Sequence, residues 1–146
     1  MENKKSLDWS VLYTPNEMFC EKCGVAHKAY LDGICRATTF GLEEKYGHTE
    51  FEFVLNLDPR LVGYILNTLG LMVADGRKFQ DKDVVPGLLS VDIHLHKIVE
   101  HGKEFLRAVV PDAKGLWPGD KGCEYPYSAQ LISIDELEQD TSHYKN

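Results

Sequence analysis

One amphipathic helix, predicted at about residues 59–74, constrains the fold more than any other segment of this chain. Asp58 is a suitable N-terminal cap, Pro59 suits the first helical position, and Gly76 ends the pattern. Apolar residues recur at helical spacing in a broad stripe: Leu61, Val62, Ile65, Leu66, Leu69, Met72 and Val73. Such a stripe has to be buried, so we expect the helix to lie on a sheet. Gly70 inside the helix costs ~1 kcal/mol in propensity relative to alanine and predicts a close approach to a strand.

The rest of the chain has the patterns of short strands. Residues 25–31 and 34–40 predict a hairpin around Asp32-Gly33, a favoured two-residue turn. Alternating apolar residues predict further strands at 49–57 and 91–99. The element order predicts an α+β domain, either a strongly curved antiparallel sheet or a small split barrel. It would carry one main packed helix at about 59–74 and a short N-terminal helix at about 15–23.

The short N-terminal helix is predicted from a capping pattern. Thr14 supplies a hydroxyl cap, Pro15 takes the first helical position, and Glu17 lies three residues after the cap. Cys20 and Cys23 then fall at the C-terminal end of this helix, where a thiolate is disfavoured, so a redox pair is not expected. Two interpretations remain open: half of a structural zinc site, or two ordinary small residues, one packed inward and one near the surface. The zinc site would need further ligands from among His27, Cys35 and Cys123.

Length and charge exclude several classes of protein. With 146 residues and 43% hydrophobic content, the chain predicts one domain at 14–134, an N-terminal arm at 1–13 and a flexible acidic tail at 135–146. A formal net charge of −7 disfavours nucleic-acid binding but is compatible with a local basic pocket. No signal peptide or membrane span is apparent. We therefore expect a soluble cytoplasmic protein with reduced thiols, and homo-oligomerisation is compatible with the sequence.

The stretch from Arg36 to Leu57 contains the first candidate ligand-binding residues. Two predicted strands flank a polar loop at residues 41–48, which places the loop at the rim of the sheet, where sites are commonly built. The candidates are Arg36, Thr39, His48 and Glu50. His48 has two interpretations. It is a ligand or general base at the end of the strand, or a loop histidine whose ring donates to a nearby carbonyl and holds the turn.

The strand predicted at 91–99 contains a candidate metal site. Alternation places His94 and His96 on one face about 7 Å apart, a spacing that supplies two metal ligands in several metalloenzymes. A third ligand would come from His48, His101 or Asp92. The alternative is that both imidazoles lie on the solvent-exposed face of the sheet.

The loop after Asp112 is rich in glycine, proline and aromatic residues. Trp117 in this loop offers a flat surface for a base or ring. Such a loop serves either as a lid over a ligand or as a plug at the open end of a barrel. Asp112 and Trp117 are therefore further candidate ligand-binding residues.

Several of these residues form a longer pattern, followed by an apolar strand and the helix that opens at Asp58. The first part consists of Thr39, Gly41, Leu42, Tyr46, Gly47, His48 and Glu50, and the later part of Gly87, Leu88, Leu89, Pro111, Asp112, Gly115, Trp117 and Pro118. The pattern resembles a bacterial domain family catalogued as domain of unknown function 4262, over about residues 20–132. In that family proline usually follows the histidine, where this chain has Thr49. The resemblance implies a compact intracellular bacterial or phage domain and brings no agreed activity, cofactor or catalytic residue.

Three functional hypotheses are compatible with these observations. The first is a non-catalytic protein that binds a small anionic or nucleotide-like ligand between Arg36, His48 and the Trp117 loop. The second is a metal-dependent hydrolase that uses a divalent metal on His94, His96 and His48. The third is an interaction protein that inhibits a partner through its acidic surface. The first is favoured because basic and aromatic side chains occur near the predicted rim without a complete catalytic set.

Overall fold

The strands in the described part of the chain lie in two separate sheets. The computed structural model describes residues 8–14, 17–20 and 24–138. In chain order the strands are β1 (Ser10–Thr14), β2 (Glu17–Cys20), β3 (Val25–Lys28), β4 (Ile34–Phe40), β5 (Glu50–Leu55), β6 (Val84–Val85), β7 (Ile93–Glu100) and β8 (Lys103–Val109). The helices are α1 (Leu42–Tyr46), α2 (Pro59–Ala74) and α3 (Ile134–Leu137), and Tyr127–Ala129 forms a 3-10 turn. Six strands form one sheet in the order β1-β4-β5-β8-β7-β6, and β2 pairs with β3.

The large sheet is mixed and open. Strands β5 and β8 are parallel, while the other neighbouring strands pair antiparallel. The chain leaves β5, forms α2, β6 and β7, and returns through β8 in the direction of β5. The α+β class is therefore confirmed, but the wholly antiparallel sheet is wrong. A barrel is not supported because β1 and β6 are edges of the sheet, and strong curvature stays a prediction.

Helix α2 is confirmed at the predicted position. The Asp58 side chain accepts a hydrogen bond from the backbone N–H of Arg60, and Gly76, with a φ of 106°, follows the last turn. The helix packs against β4 and β5, where Phe51 and Phe53 are almost completely buried. The buried residues of α2 repeat at helical spacing: Val62, Ile65, Leu66, Leu69, Gly70 and Val73. The sheet and this stripe together form the main hydrophobic core.

Gly70 lies where α2 meets Trp9, the residue before β1. A Cβ atom added at Gly70 would lie 2.6 Å from two atoms of the indole ring. The ring is buried, and its Nε1 donates a hydrogen bond to Asn67 Oδ1 at 3.0 Å. The expected close approach is therefore present, but the partner of Gly70 is an aromatic ring rather than a strand.

The helix predicted at residues 15–23 is wrong, because Glu17–Cys20 is strand β2. It pairs antiparallel with β3, from Glu17 opposite Lys28 to Cys20 opposite Val25. This pairing satisfies backbone groups of both strands and outweighs the local capping signal, since propensity is a weak determinant of structure. Residues 15–16 and 21–23 lie outside the described residues, so the zinc interpretation of Cys20 and Cys23 stays a prediction.

The turn at Asp32-Gly33 forms, but the predicted hairpin around it does not. Gly33 has a φ of 82°, and the backbone N–H of Ile34 donates to the Leu31 carbonyl at 3.1 Å. The strands on either side have different partners, since β3 pairs with β2 and β4 lies between β1 and β5. The hairpin prediction is wrong because a turn signal specifies a reversal of the chain but not the partner of each strand.

Both ends of the described chain pack against the domain. Strand β1, part of the predicted arm, pairs with β4. An acidic tail is expected from residue 135, yet Ile134 and Leu137 are buried and Glu138 forms a bridge with Tyr30. The rest of the predicted tail lies outside the described residues. No helix in residues 8–14, 17–20 and 24–138 is long and apolar enough to cross a membrane.

Candidate functional site

Arg36 belongs to a buried ion network. Its Nε donates to Glu52 Oε2 at 2.6 Å, and its guanidinium lies 5.1 Å from the centre of the Phe105 ring. The other carboxylate oxygen of Glu52 accepts from Arg107 Nε at 2.8 Å, and Arg107 also donates to Glu100. The four charges balance, and Glu52 and Arg107 are fully buried. Arg36 therefore pairs with a buried carboxylate of the scaffold.

Arg107 connects the C-terminal segment to the sheet. Its Nη1 donates to the carbonyls of Gln130 and Ile132 at 2.8 and 2.5 Å. The Glu100 carboxylate that it contacts also accepts from the backbone N–H of Ile134 at 2.8 Å. A buried guanidinium is tolerated only when its donors have partners, and these contacts engage all three of its nitrogens. The network is therefore part of the scaffold.

Thr39 and Glu50 cap the N-terminus of α1. The Glu50 carboxylate accepts from the backbone N–H groups of Gly41, Leu42 and Glu43 at 3.0, 3.3 and 3.1 Å. Thr39 Oγ1 donates to Glu50 Oε1 at 2.7 Å and accepts from the backbone N–H that follows Glu50 at 2.9 Å. The first N–H groups of a helix lack partners within it and favour a negative charge. These two predicted ligand-binding side chains thus start a short helix where a loop is predicted.

His48 fixes the segment that follows α2 to the start of β5. Its Nδ1 lies 2.7 Å from the Thr49 carbonyl oxygen, and its Nε2 accepts from the backbone N–H of Phe79 at 2.9 Å. Since Nε2 accepts, Nδ1 carries the proton in this neutral tautomer. The ring also packs against Phe51 and Phe79. This is the geometry of a histidine that holds the turn, and neither nitrogen is free to act as a base or metal ligand.

Asp112 organises the loop that carries Trp117. Its Oδ1 accepts from the backbone N–H groups of Lys114 and Leu116, both at 2.9 Å, and its Oδ2 accepts from that of Glu124 at 3.0 Å. These hydrogen bonds, with the one from Glu124 foremost, hold the pKa of the Asp112 carboxyl below its usual value. Asp112 is therefore the centre of the loop's own hydrogen bonds.

Trp117 stacks on His94 of β7. The ring centroids are 3.5 Å apart and the ring planes differ by 2°. The His96 ring centroid lies 6.4 Å from that of His94, and burial, as the largest cause, lowers the pKa of His96. One flat face of Trp117 is thus covered by His94. Arg36 is on β4, three strand spacings or ~14 Å from β7, so Arg36 and Trp117 do not share one pocket.

A metal site at His94 and His96 has no third ligand in the described part of the chain. Residues 8–14, 17–20 and 24–138 contain no group of three or more histidine, cysteine, aspartate or glutamate side chains placed to hold a metal ion. Of the proposed third ligands, His48 has both nitrogens engaged, and His101 Nε2 lies 3.1 Å from Asp135 Oδ1. The metal site remains a prediction without structural support.

A cavity of about 470 Å³ lies beside His48. The end of α1, the turn that precedes β5, the last turn of α2 and the connector at residues 76–79 surround it. The side chains that determine its chemistry are Tyr46, His48, Thr49, Arg77, Lys78 and Phe79. Because His48 accepts a hydrogen bond from the backbone of Phe79, the α1–β5 turn and the connector, which form two sides of this cavity, are linked directly. We call it the His48 cavity.

The His48 cavity has a local positive charge in an acidic protein. Arg77 and Lys78 line it, and its described lining includes no aspartate or glutamate. The Arg77 guanidinium lies 4.9 Å from the centre of the Phe79 ring, within the range of a cation–π contact. Helix α2 presents the negative end of its dipole here, but the carbonyls of residues 71–73 already accept from the N–H groups of residues 75–77. The two cations therefore make the cavity suited to an anion.

The sequence prediction missed Arg77 and Lys78. They fall in a charged connector after the helix, and consecutive charges in such a position usually lie in solvent. The fold brings this connector against the turn of Tyr46, Gly47 and His48, which lies far away in sequence. The one usable signal is a pair of adjacent cations directly after a helix end in a chain with a net charge of −7.

These features define an α+β protein with an open mixed sheet and a cationic cavity at the rim of that sheet. Comparisons with protein-family models, curated proteins and solved structures found no match for the chain. The resemblance to the domain of unknown function 4262 family therefore stays a prediction.

Proposed function

We propose that this protein binds a small anionic or nucleotide-like ligand in the His48 cavity without catalysing a reaction on it. The observation that carries the proposal is the pairing of Arg77 and Lys78 in a cavity with no described carboxylate in its lining, although the chain has a net charge of −7. A volume of about 470 Å³ is within the range of small-molecule sites. The ligand site thus differs from the one expected between Arg36 and Trp117.

The walls of the cavity are held in place by hydrogen bonds. His48 accepts from the Phe79 backbone, and the Tyr46 hydroxyl donates to Asp8 Oδ2 at 2.6 Å. A preformed wall reduces the conformational entropy that is lost on binding. Arg77 and Lys78 are exposed, so their side chains can adjust to an anion while the aromatic wall stays fixed.

The proposal is for binding rather than catalysis because His48 and Tyr46, two polar side chains of the wall, already have hydrogen-bond partners. His48 has no free nitrogen for proton transfer, and the Tyr46 hydroxyl is bonded to Asp8. A general base has to reach the proton that it removes, and neither group meets this requirement in the described geometry.

A titration with inorganic phosphate, followed by amide chemical shifts, tests the proposal. We expect the amides of residues 77–79 to shift in a saturable way. The double variant Arg77→Ala/Lys78→Ala should weaken phosphate binding by about tenfold, as expected for the loss of two solvent-exposed charge contacts. The control Arg60→Ala/Lys114→Ala removes the same charge from residues that do not line the cavity.

The control distinguishes phosphate binding at the His48 cavity from a general electrostatic effect of net charge. Equal weakening in both double variants would contradict the proposal, because it would mean that phosphate responds only to net charge. Shifts centred on residues away from the cavity would contradict it as well.

The other two hypotheses receive no specific support. A metal-dependent hydrolase would need a ligand set that the described residues do not form around His94 and His96. An inhibitory interaction protein is supported only by the net charge. Cytoplasmic location, bacterial or phage origin and homo-oligomerisation remain proposals that depend on the sequence.

A further inference from the structure

A second cavity adjoins the first. It has a volume of about 250 Å³ and shares two lining residues, Thr49 and Phe79, with the His48 cavity. The Phe79 ring is buried against Phe51 and His48, so the shared wall is part of the hydrophobic core. The two cavities are therefore neighbours, and Thr49 and Phe79 form the wall that they share.

The second cavity has the opposite charge. Asp81 and Glu104 line it together with a single cation, Lys97. The Lys97 ammonium lies 3.8 Å from Glu104 Oε2, and both side chains are about half exposed, at 50% and 55%. Asp81 Oδ1 accepts from the backbone N–H of Lys97 at 2.8 Å, which holds that carboxylate at the cavity. An ionised carboxylate accepts hydrogen bonds and cannot donate them. This cavity is therefore suited to a ligand with amino or hydroxyl donors.

We propose, on the basis of the proposed function, that the two cavities form one bipolar cleft. Its ligand is a phosphate monoester whose organic part carries amino or hydroxyl donors, as a nucleoside monophosphate does. The phosphate lies against Arg77 and Lys78, the organic part crosses the wall of Phe79, and its donors reach Glu104 and Asp81. This arrangement uses both signs of charge, whereas a simple anion site would use only the cations.

Adenosine monophosphate and inorganic phosphate are suitable probes, because both carry a phosphate group of similar charge. By calorimetry or amide shifts, we expect adenosine monophosphate to bind roughly tenfold more tightly than phosphate. Glu104→Gln should remove most of this preference and leave phosphate binding unchanged. Arg77→Ala/Lys78→Ala should weaken both probes. Asp81 is left intact because it holds the backbone of Lys97.

Glu124→Gln is the matched control. Glu124 also faces a lysine, at 4.0 Å, and is 57% exposed, but it does not line the cleft. Equal binding of the two probes, or equal effects of Glu104→Gln and Glu124→Gln, would overturn the bipolar cleft while leaving the anion site in place. If neither probe binds, the proposed function fails and this inference fails with it. Thermal unfolding of each variant establishes that it is folded.

Discussion

Replacing Gly70 by alanine should destabilise the protein, although alanine is the better helix former. Glycine to alanine in a helix interior normally gains ~1 kcal/mol. At Gly70 the new methyl group would lie 2.6 Å from two atoms of the Trp9 indole, a distance that requires one side to move. The ring is rigid, buried and bonded to Asn67, so it cannot move cheaply. Overpacking of this kind costs ~1–3 kcal/mol and should exceed the gain in propensity.

Gly63 provides an internal control in the same helix. A Cβ atom at Gly63 would meet no atom within 4 Å outside the local helix backbone, so only the propensity term applies. We expect Gly63→Ala to raise the free energy of unfolding by up to ~1 kcal/mol and Gly70→Ala to lower it by up to ~2 kcal/mol. For a chain of this size the two variants should differ in Tm by about 4–10 °C.

Urea unfolding measures the contact between residue 70 and the Trp9 indole directly. It is applied to Gly63→Ala and Gly70→Ala, and then to Trp9→Leu and Trp9→Leu/Gly70→Ala. If the indole causes the cost, Gly70→Ala becomes neutral or stabilising once Trp9 is replaced, and the double-mutant cycle gives a clear coupling energy. Similar stabilisation by Gly63→Ala and Gly70→Ala would refute this explanation of Gly70.

Three further substitutions test the contacts that hold the scaffold. Arg107→Lys should lower the free energy of unfolding by ~3–5 kcal/mol in urea titrations, because lysine leaves buried acceptors without donors; a loss below 1 kcal/mol would contradict this. Glu50→Gln should cost ~2 kcal/mol and speed amide exchange in α1, since a carboxylate that accepts from three N–H groups becomes an amide. Asp112→Asn should lower Tm at neutral pH. The folded pKa of Asp112 is depressed, so its stabilisation is present above about pH 4 and is lost as pH falls through the folded pKa. The curves of Tm against pH for the unsubstituted protein and for Asp112→Asn should therefore converge in acid. A constant difference in Tm would argue against this role of the Asp112 carboxylate.

The sequence predicts best where a segment carries a strong period of its own. Helix α2 has a broad apolar stripe, a cap and a stop, and it forms where expected. Strands β4 and β5 have β-branched or alternating residues and form within the predicted ranges, and β7 forms at Ile93–Glu100, shifted slightly from the predicted range of 91–99. Strand β2 could not be predicted in this way, because its four residues contain no periodic pattern. Its structure depends on pairing with β3. Partner choice in a sheet is a property of the whole chain, so the parallel pair of β5 and β8 is not readable from either strand.

The site residues were harder to predict because polar side chains have structural as well as functional uses. Glu50 and Glu52 are both buried, which is rare for glutamate without a partner. Their partners, Thr39 and Arg107, come from other strands and are visible only after folding. The sequence pattern proposes Thr39 and Glu50 as ligand-binding residues, and the structure gives both of them hydrogen-bond partners within the scaffold.

Two sets of substitutions at the His48 cavity should separate effects on stability from effects on ligand binding. His48 joins the connector to β5, so His48→Ala leaves the Phe79 N–H buried without an acceptor, which costs ~1–3 kcal/mol. It should lower Tm and weaken phosphate binding together, because the cavity wall is no longer held. In the described part of the chain, the side chains of Arg77 and Lys78 are exposed, and neither side chain holds another element by a hydrogen bond. Their replacement by alanine should leave Tm nearly unchanged while phosphate binding falls.

Paired measurements of Tm and phosphate binding on His48→Ala and Arg77→Ala/Lys78→Ala test both expectations. A large loss of stability in Arg77→Ala/Lys78→Ala would place these cations in the scaffold. If Tm is unchanged and phosphate binding falls, the pattern built on Thr39, His48 and Glu50 reports how the chain folds, and the connector that follows α2 determines the ligand.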